Sequence, residues 1–118
     1  MVKKTNTTLV RLVEQLKKES AVNNAPIWKD VAVRLEKPNT SSMVVNLSRI
    51  GRYANENDVV VVPGKVLGTG ELNQKIVIAA FSFSKQALEK IKSSNSKAIT
   101  LAELAKQNPK GKDVKIIG

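Results

Sequence analysis

Residues 59–70 read Val59-Val60-Val61-Val62-Pro63-Gly64-Lys65-Val66-Leu67-Gly68-Thr69-Gly70. Four consecutive β-branched residues favour extended backbone, and an unbroken apolar run keeps no polar face for water, so Val59–Val62 reads as a strand buried on both sides. Pro63-Gly64 punctuates it, Lys65-Val66-Leu67 continues extended, and Gly68-Thr69-Gly70 turns the chain before a second strand from Lys75 to Phe81.

On the N-terminal side, Leu9, Leu12, Val13 and Leu16 recur at helical spacing, with Arg11, Glu14, Lys17 and Lys18 on the other face. That pattern predicts an amphipathic helix over roughly 7–22, with Asn6 or Thr7 as its N-cap. Asn23-Asn24 breaks it. Pro26 suits the first turn of a second helix lined by Ile27, Trp28, Val31, Ala32 and Leu35, which Pro38 ends. Residues 1–6 read as a flexible basic arm, and Asn39-Thr40-Ser41-Ser42 as a polar loop. Val44, Val45 and Leu47 form a short strand, and Ser48 to Tyr53 a short helical or irregular piece.

Toward the C-terminus, Ser84 caps a helix carrying Ala87, Leu88 and Ile91, which frays at Ser93 to Ser96. Thr100 with Glu103 makes a capping box for a helix through about Gln107. Asn108-Pro109-Lys110-Gly111-Lys112 is a basic turn before a final strand, Val114 to Ile117. Two helices followed by strands and helices intermixed specify an α/β or α+β domain. At 118 residues the chain has room for one domain with an aliphatic core, since only Trp28, Tyr53, Phe81 and Phe83 are aromatic.

Twenty Lys and Arg oppose ten Asp and Glu, for a net charge of +10, and there is no His or Cys. Without imidazole or thiol, Ser-His-Asp and Cys-His catalysis, disulfides, iron–sulfur clusters and thiolate metal sites are excluded. The lack of Cys leans toward the cytoplasm. No signal-peptide core is present, and the longest apolar run, Ile76 to Phe81, is too short to span a bilayer. The charge is spread evenly: residues 1–52 hold 10 basic and 4 acidic side chains, and residues 53–118 hold 10 and 6. A polyanion such as nucleic acid is the partner such a chain attracts.

The motifs for small-molecule chemistry fail in detail. Gly64-Lys65 is followed by Val66 where a phosphate loop needs Ser or Thr, and position 73 is Asn where a dinucleotide fingerprint needs a third glycine. Ser82-Phe83-Ser84-Lys85 and Ser94-Asn95-Ser96-Lys97 satisfy S-x-x-K but lack the companion motifs of penicillin-recognising enzymes. Glu14, Glu19, Asp30 and Glu36 sit among lysines as solvated ion pairs. No credible catalytic set remains, and no metal site or small-molecule substrate is expected. The two N-terminal helices outline a helix-turn-helix, but the exposed side of the second mixes Lys29, Asp30, Arg34, Glu36 and Lys37, and its carboxylates would repel phosphate. Phe81 and Phe83 read as core-facing residues at a strand end rather than stacking platforms.

The remaining candidates for contacting nucleic acid are basic residues in the segments least able to bury them: Lys3, Lys4, Lys37, Arg49, Arg52, Lys65, Lys110 and Lys112. Arg49 and Arg52 stand out. They are two of only four arginines, lie three apart beside Tyr53, and carry planar forks that grip phosphate bidentately.

Several segments together resemble one family, the archaeal and eukaryotic large-subunit ribosomal protein L-eighteen-e, related to the bacterial L-fifteen protein. They are Lys4-Thr5-Asn6, Trp28-Lys29-Asp30-Val31-Ala32, Arg34-Leu35-Glu36-Lys37-Pro38, Val45-Asn46-Leu47-Ser48-Arg49-Ile50 with Arg52-Tyr53, and the Asn108-Pro109-x-Gly111 turn. The most specific is Val60-Val61-Val62-Pro63-Gly64-Lys65-Val66-Leu67-Gly68. The chain departs from the family at Thr7, where Pro often follows Lys-Thr-Asn, and at Phe81, where members often carry Asp before Phe-Ser. The resemblance implies two N-terminal helices before an irregular β-β-α superhelical core with short strands. It implies a cytoplasmic, non-enzymatic constituent of the large ribosomal subunit, without cofactor, that binds ribosomal RNA and neighbouring ribosomal proteins and no membrane. The competing reading is a free basic nucleic-acid-binding module, helix-turn-helix-like or chromatin-associated.

Overall fold

The Val59–Leu67 segment forms the central strand of a parallel sheet. The computed structural model describes residues 7–36 and 44–117, in the order α1 (Thr7–Asn23), α2 (Pro26–Glu36), β1 (Val44–Asn46), α3 (Leu47–Tyr53), β2 (Val59–Leu67), β3 (Val77–Phe83), α4 (Lys85–Ser93), β4 (Lys97–Thr100), α5 (Leu101–Gln107) and β5 (Val114–Ile116). The expected arm at 1–6, the Asn6 cap, Pro38 and the Asn39–Ser42 loop lie outside the described residues.

All strand pairs are parallel, and β2 has β3 along one edge and both β1 and β5 along the other. β5 pairs with Val59–Val61, and β1 with Lys65–Leu67. Between those halves the register to β3 slips by one residue, from Val62↔Ala80 to Lys65↔Ser82. Pro63-Gly64 therefore bends one continuous strand rather than ending it; proline has no N–H to give the ladder, and a bulge is where a sheet tolerates it.

Helices cover both faces, which is why Val59–Val62 can be an unbroken apolar run. On one face, Val60, Val62, Val66, Ile78 and Ala80 pack with Leu47 and Ile50 of α3 and Ala87 and Ile91 of α4. On the other, Val61 and Ala79 meet Leu12, Val13 and Leu16 of α1, Trp28, Val31, Ala32 and Leu35 of α2, and Leu101, Leu104 and Ala105 of α5. Both N-terminal helices bury the stripes their spacing predicts, except that Leu9 and Ile27 are only partly buried at the edge of the core. Between them, Asn24 takes the left-handed conformation (φ 52°), and the Ala25 N–H donates to Ser20 O at 3.0 Å, a Schellman closure.

Four expectations are corrected. The stretch after α4 does not simply fray: Lys97–Thr100 adds strand β4 beside β3. Ser94 and Ser96 make its lead-in, Ser94 Oγ donating to Ile91 O at 2.9 Å and Ser96 Oγ donating to Gln74 O at 3.0 Å. Residues 68–76 are not a turn but a full return crossover, because β2 and β3 run parallel. The crossover straps over α3, with Gln74 Nε2 donating to Gly51 O and Ala54 O, both at 2.6 Å. Leu88 does not join the core, and is exposed on α4. Phe81 and Phe83 are each only partly buried and pack against opposite cores, so neither is the fully core-facing residue expected.

Candidate nucleic-acid interface

α3 is a two-turn helix whose buried side is Leu47 and Ile50, so Arg49, Arg52 and Tyr53 are left on the outer face at i, i+3 and i+4 spacing. The helix is held at both ends by the 68–76 crossover: Ser48 N–H donates to Thr69 O at 3.1 Å, and Gln74 clamps the last turn. Gly70 permits the upper clamp. Its φ is +91°, and a Cβ there would lie 2.4 Å from Ser48 Cβ. The two glycines after the strand therefore pack a loop against α3 and α4; they do not cradle phosphate.

The Arg49 guanidinium lies over the Tyr53 ring, 5.7 Å from its centroid, and the ring is 54% exposed. A flat cation stacked on an aromatic keeps its N–H groups aimed outward while its stem is positioned. Beside them lies a depression of about 480 Å³ lined by Arg49, Tyr53, Lys115, Ile116 and Ile117. Lys115 on β5 pairs with Asp58 at 2.8 Å and reaches Tyr53 O at 3.4 Å, tying the end of α3 to the start of β2. The hydrogen bond from Lys115, then that from the Asn55 N–H, holds the Asp58 carboxyl below its ordinary value.

The other sequence candidates divide. Lys110 and Lys112 are exposed in the turn before β5. That turn is laced by Asn108, whose Nδ2 donates to Lys112 O at 3.0 Å and whose Oδ1 accepts from Lys112 N–H at 3.2 Å. It is docked on α2 by Trp28 Nε1, which donates to Pro109 O at 2.8 Å. Lys65 is exposed on β2 between Val44 and Ser82, while its neighbour Val66 is buried in the α3/α4 core, so Lys65 points to the other face. Lys3, Lys4 and Lys37 lie outside the described residues. The fold thus brings Arg49 and Arg52 together, and Lys110 and Lys112 together, and sets Lys65 apart. Among the described residues, ion pairs engage Lys17, Arg34, Lys90 and Lys115, and none engages these five.

Lys115 was not legible as part of the patch, since Val114-Lys115-Ile116 reads only as a strand with one outward cation. The carboxylates behave as read where the structure pairs them: Asp30 bonds Arg34 at 3.1 Å and Glu36 bonds Lys17 at 3.0 Å, both on the surface. Ser84 caps α4, accepting from Ala87 N–H at 3.1 Å, which accounts for one S-x-x-K match. Among the described residues no group of three acidic side chains is placed to hold a metal ion, and no helix is long and apolar enough to cross a membrane.

Comparison with known proteins gives a consistent picture. A family model described as ribosomal protein 60S L18 and 50S L18e matches residues 2–118. The large ribosomal subunit protein eL18 of Methanococcus maripaludis is 49% identical over 113 residues, covering 96% of this chain and 94% of its own length. The protein of the same name from Archaeoglobus fulgidus is 46% identical over 116 residues, 98% of this chain and 99% of its own. That from Methanothermobacter thermautotrophicus is 43% identical over 116 residues, 98% and 96%.

Proposed function

The chain belongs to the family of ribosomal protein 60S L18 and 50S L18e, and from that premise we propose how it acts. It is a structural constituent of the large ribosomal subunit and not an enzyme. Working in the cytoplasm as one domain over residues 1–118, it holds ribosomal RNA through phosphate contacts and shape, with neighbouring ribosomal proteins against its other surfaces. The α3 patch is the centre of the RNA contact, with Arg49 and Arg52 as phosphate forks and Tyr53 as a face on which an unpaired base stacks. Lys110 and Lys112 extend that contact along the chain to β5, and Lys65, Lys3, Lys4 and Lys37 serve further phosphates. The observation that carries this reading is the exposed Arg49–Tyr53 stack beside Arg52, on a helix clamped at both ends. The free duplex-binding alternative is not favoured, given the names of the relatives.

Lys and Arg release condensed counterions when they meet phosphate, so affinity falls steeply with salt. In a low-salt sucrose gradient the chain comigrates with the large subunit, and high salt strips it. Arg49→Ala with Arg52→Ala makes the slope of log affinity against log salt for large-subunit RNA shallower by about 1.4 to 1.8, at 0.7–0.9 per phosphate contact. An unchanged slope removes α3 from the contact, and absence from ribosomal fractions at low salt removes the assignment to the subunit.

A further inference from the structure

In open parallel sheets, ligands settle in the crevice outside the carboxyl ends of the strands, where consecutive connections leave on opposite faces. This sheet has such a point between β3 and β4. α4, which follows β3, packs on the core with α3, whereas α5, which follows β4, packs on the opposite core with α1 and α2. The fold does open there: a cleft of about 340 Å³ is lined by Arg11, Leu12 and Gln15 of α1, Ala80 and Phe81 of β3, and Thr100, Leu101 and Ala102.

Two features of the cleft mark it as unfinished. Gln15 Nε2 is shut off from solvent with no hydrogen-bond partner, although a buried donor is ordinarily satisfied. Phe81 is only partly buried, packed against the α1/α2/α5 core while also lining the cleft. The charge is also one-sided. The lining holds one guanidinium, Arg11, and no carboxylate, and Arg11 makes no ion pair among the described residues.

We infer that this crevice receives one unstacked nucleotide of the bound ribosomal RNA, its base against Phe81, its phosphate at Arg11, and the half-buried Gln15 side chain turning its amide outward so that Nε2 donates to the base. The inference deepens the RNA-binding reading and rests on it. Splayed-out single bases held by an aromatic face and an edge hydrogen bond are how proteins take hold of folded RNA. An apolar wall with one donor and a cationic rim matches that chemistry. An apolar side chain of a neighbouring protein would leave both Gln15 Nε2 and Arg11 unanswered.

The test is zero-length cross-linking at 254 nm of large subunits carrying the full chain, with nucleotide-bearing tryptic peptides read by mass spectrometry. The expected result is a mononucleotide adduct at Phe81 in the 76–85 peptide, alongside one at Tyr53. Ala102→Phe, which fills the crevice, removes the Phe81 adduct and spares that at Tyr53. Gln15→Leu, which leaves the crevice open, lowers the Phe81 yield about two- to ten-fold, the worth of one hydrogen bond. A Tyr53 adduct with none at Phe81 overturns the crevice alone. Loss of both overturns the RNA-binding reading and this inference with it.

Discussion

Trp28 connects the helical layer to a basic turn 81 residues away in sequence, and removing its indole N–H tests whether that turn is held from below. The side chain is fully buried, and Nε1 donates to Pro109 O at 2.8 Å. Trp28→Phe keeps an aromatic ring in the α1/α2/α5 core but withdraws the donor and leaves a void. The lost hydrogen bond costs about 1 kcal/mol, and the void about another 1 kcal/mol, since surrounding side chains close it only in part. With about 2.1 cal/mol/K of unfolding entropy per residue over 118 residues, roughly 2 kcal/mol lowers Tm by about 8 °C. Circular dichroism melts of the purified chain at fixed salt measure this directly. Gly111→Ala probes the same junction from the other side. Its φ is +63°, and a Cβ would meet Ile27 Cγ2 at 2.1 Å, so Ile27→Ala recovers the steric part of the loss and leaves the backbone part. A Trp28→Phe Tm within about 2 °C of the parent would refute the docking bond as a determinant. Strict additivity of Gly111→Ala and Ile27→Ala would refute the crowding argument.

Three further outcomes follow from contacts already described. Thr100→Ala breaks a complete capping box, in which Thr100 Oγ1 accepts from Glu103 N–H at 3.0 Å and Glu103 Oε1 from Thr100 N–H at 2.9 Å; it costs about 1 kcal/mol by chemical denaturation, at constant m-value. Gly70→Ala costs about 2 kcal/mol or more, and because the crowded atoms belong to Ser48 it also weakens RNA binding through α3, which filter binding reads. Asp58 titrates below its ordinary 3.8 in the folded chain, so its contribution to stability is complete above that value and is lost as pH falls through the lower folded one. Asp58→Asn therefore melts below the parent at pH 7 and together with it in strong acid; a gap that persists undiminished at pH 2 would show that the Lys115 pair is not its source.

The local grammar of this chain is nearly complete in its sequence. Helix stripes, both N-caps at Ser84 and Thr100, the Asn24 break and the β-branched run each depend on neighbours within a few residues, and each appears where that chemistry puts it. What was hidden depends on pairing over distance. β4 has only four residues, Lys97-Ala98-Ile99-Thr100, with no strong alternation, and it becomes a strand because β3 offers an open edge. The 68–76 crossover looks like a turn because Gly68 and Gly70 are turn formers. Only the parallel pairing of β2 with β3 shows that the chain must travel back along the sheet before it can pair.

The proposed interface divides along the same line. Arg49 and Arg52 were legible because they share a helix, so sequence spacing is already spatial spacing. Lys115 and the crevice residues Arg11, Gln15, Phe81 and Thr100 were not, because they sit on β5, α1, β3 and β4, which are brought together only by the tertiary fold. Net charge announced a polyanionic partner but could not say which cations meet it. The proposed contact favours the unpaired ones: a carboxylate bonded to Lys17, Arg34 or Lys115 has already compensated that cation, whereas phosphate gains most at cations with nothing to give up. A chain with twice as many basic as acidic groups can settle its internal pairs and still present an unneutralised α3, and the clamps on that helix lower the ordering entropy that RNA binding must overcome.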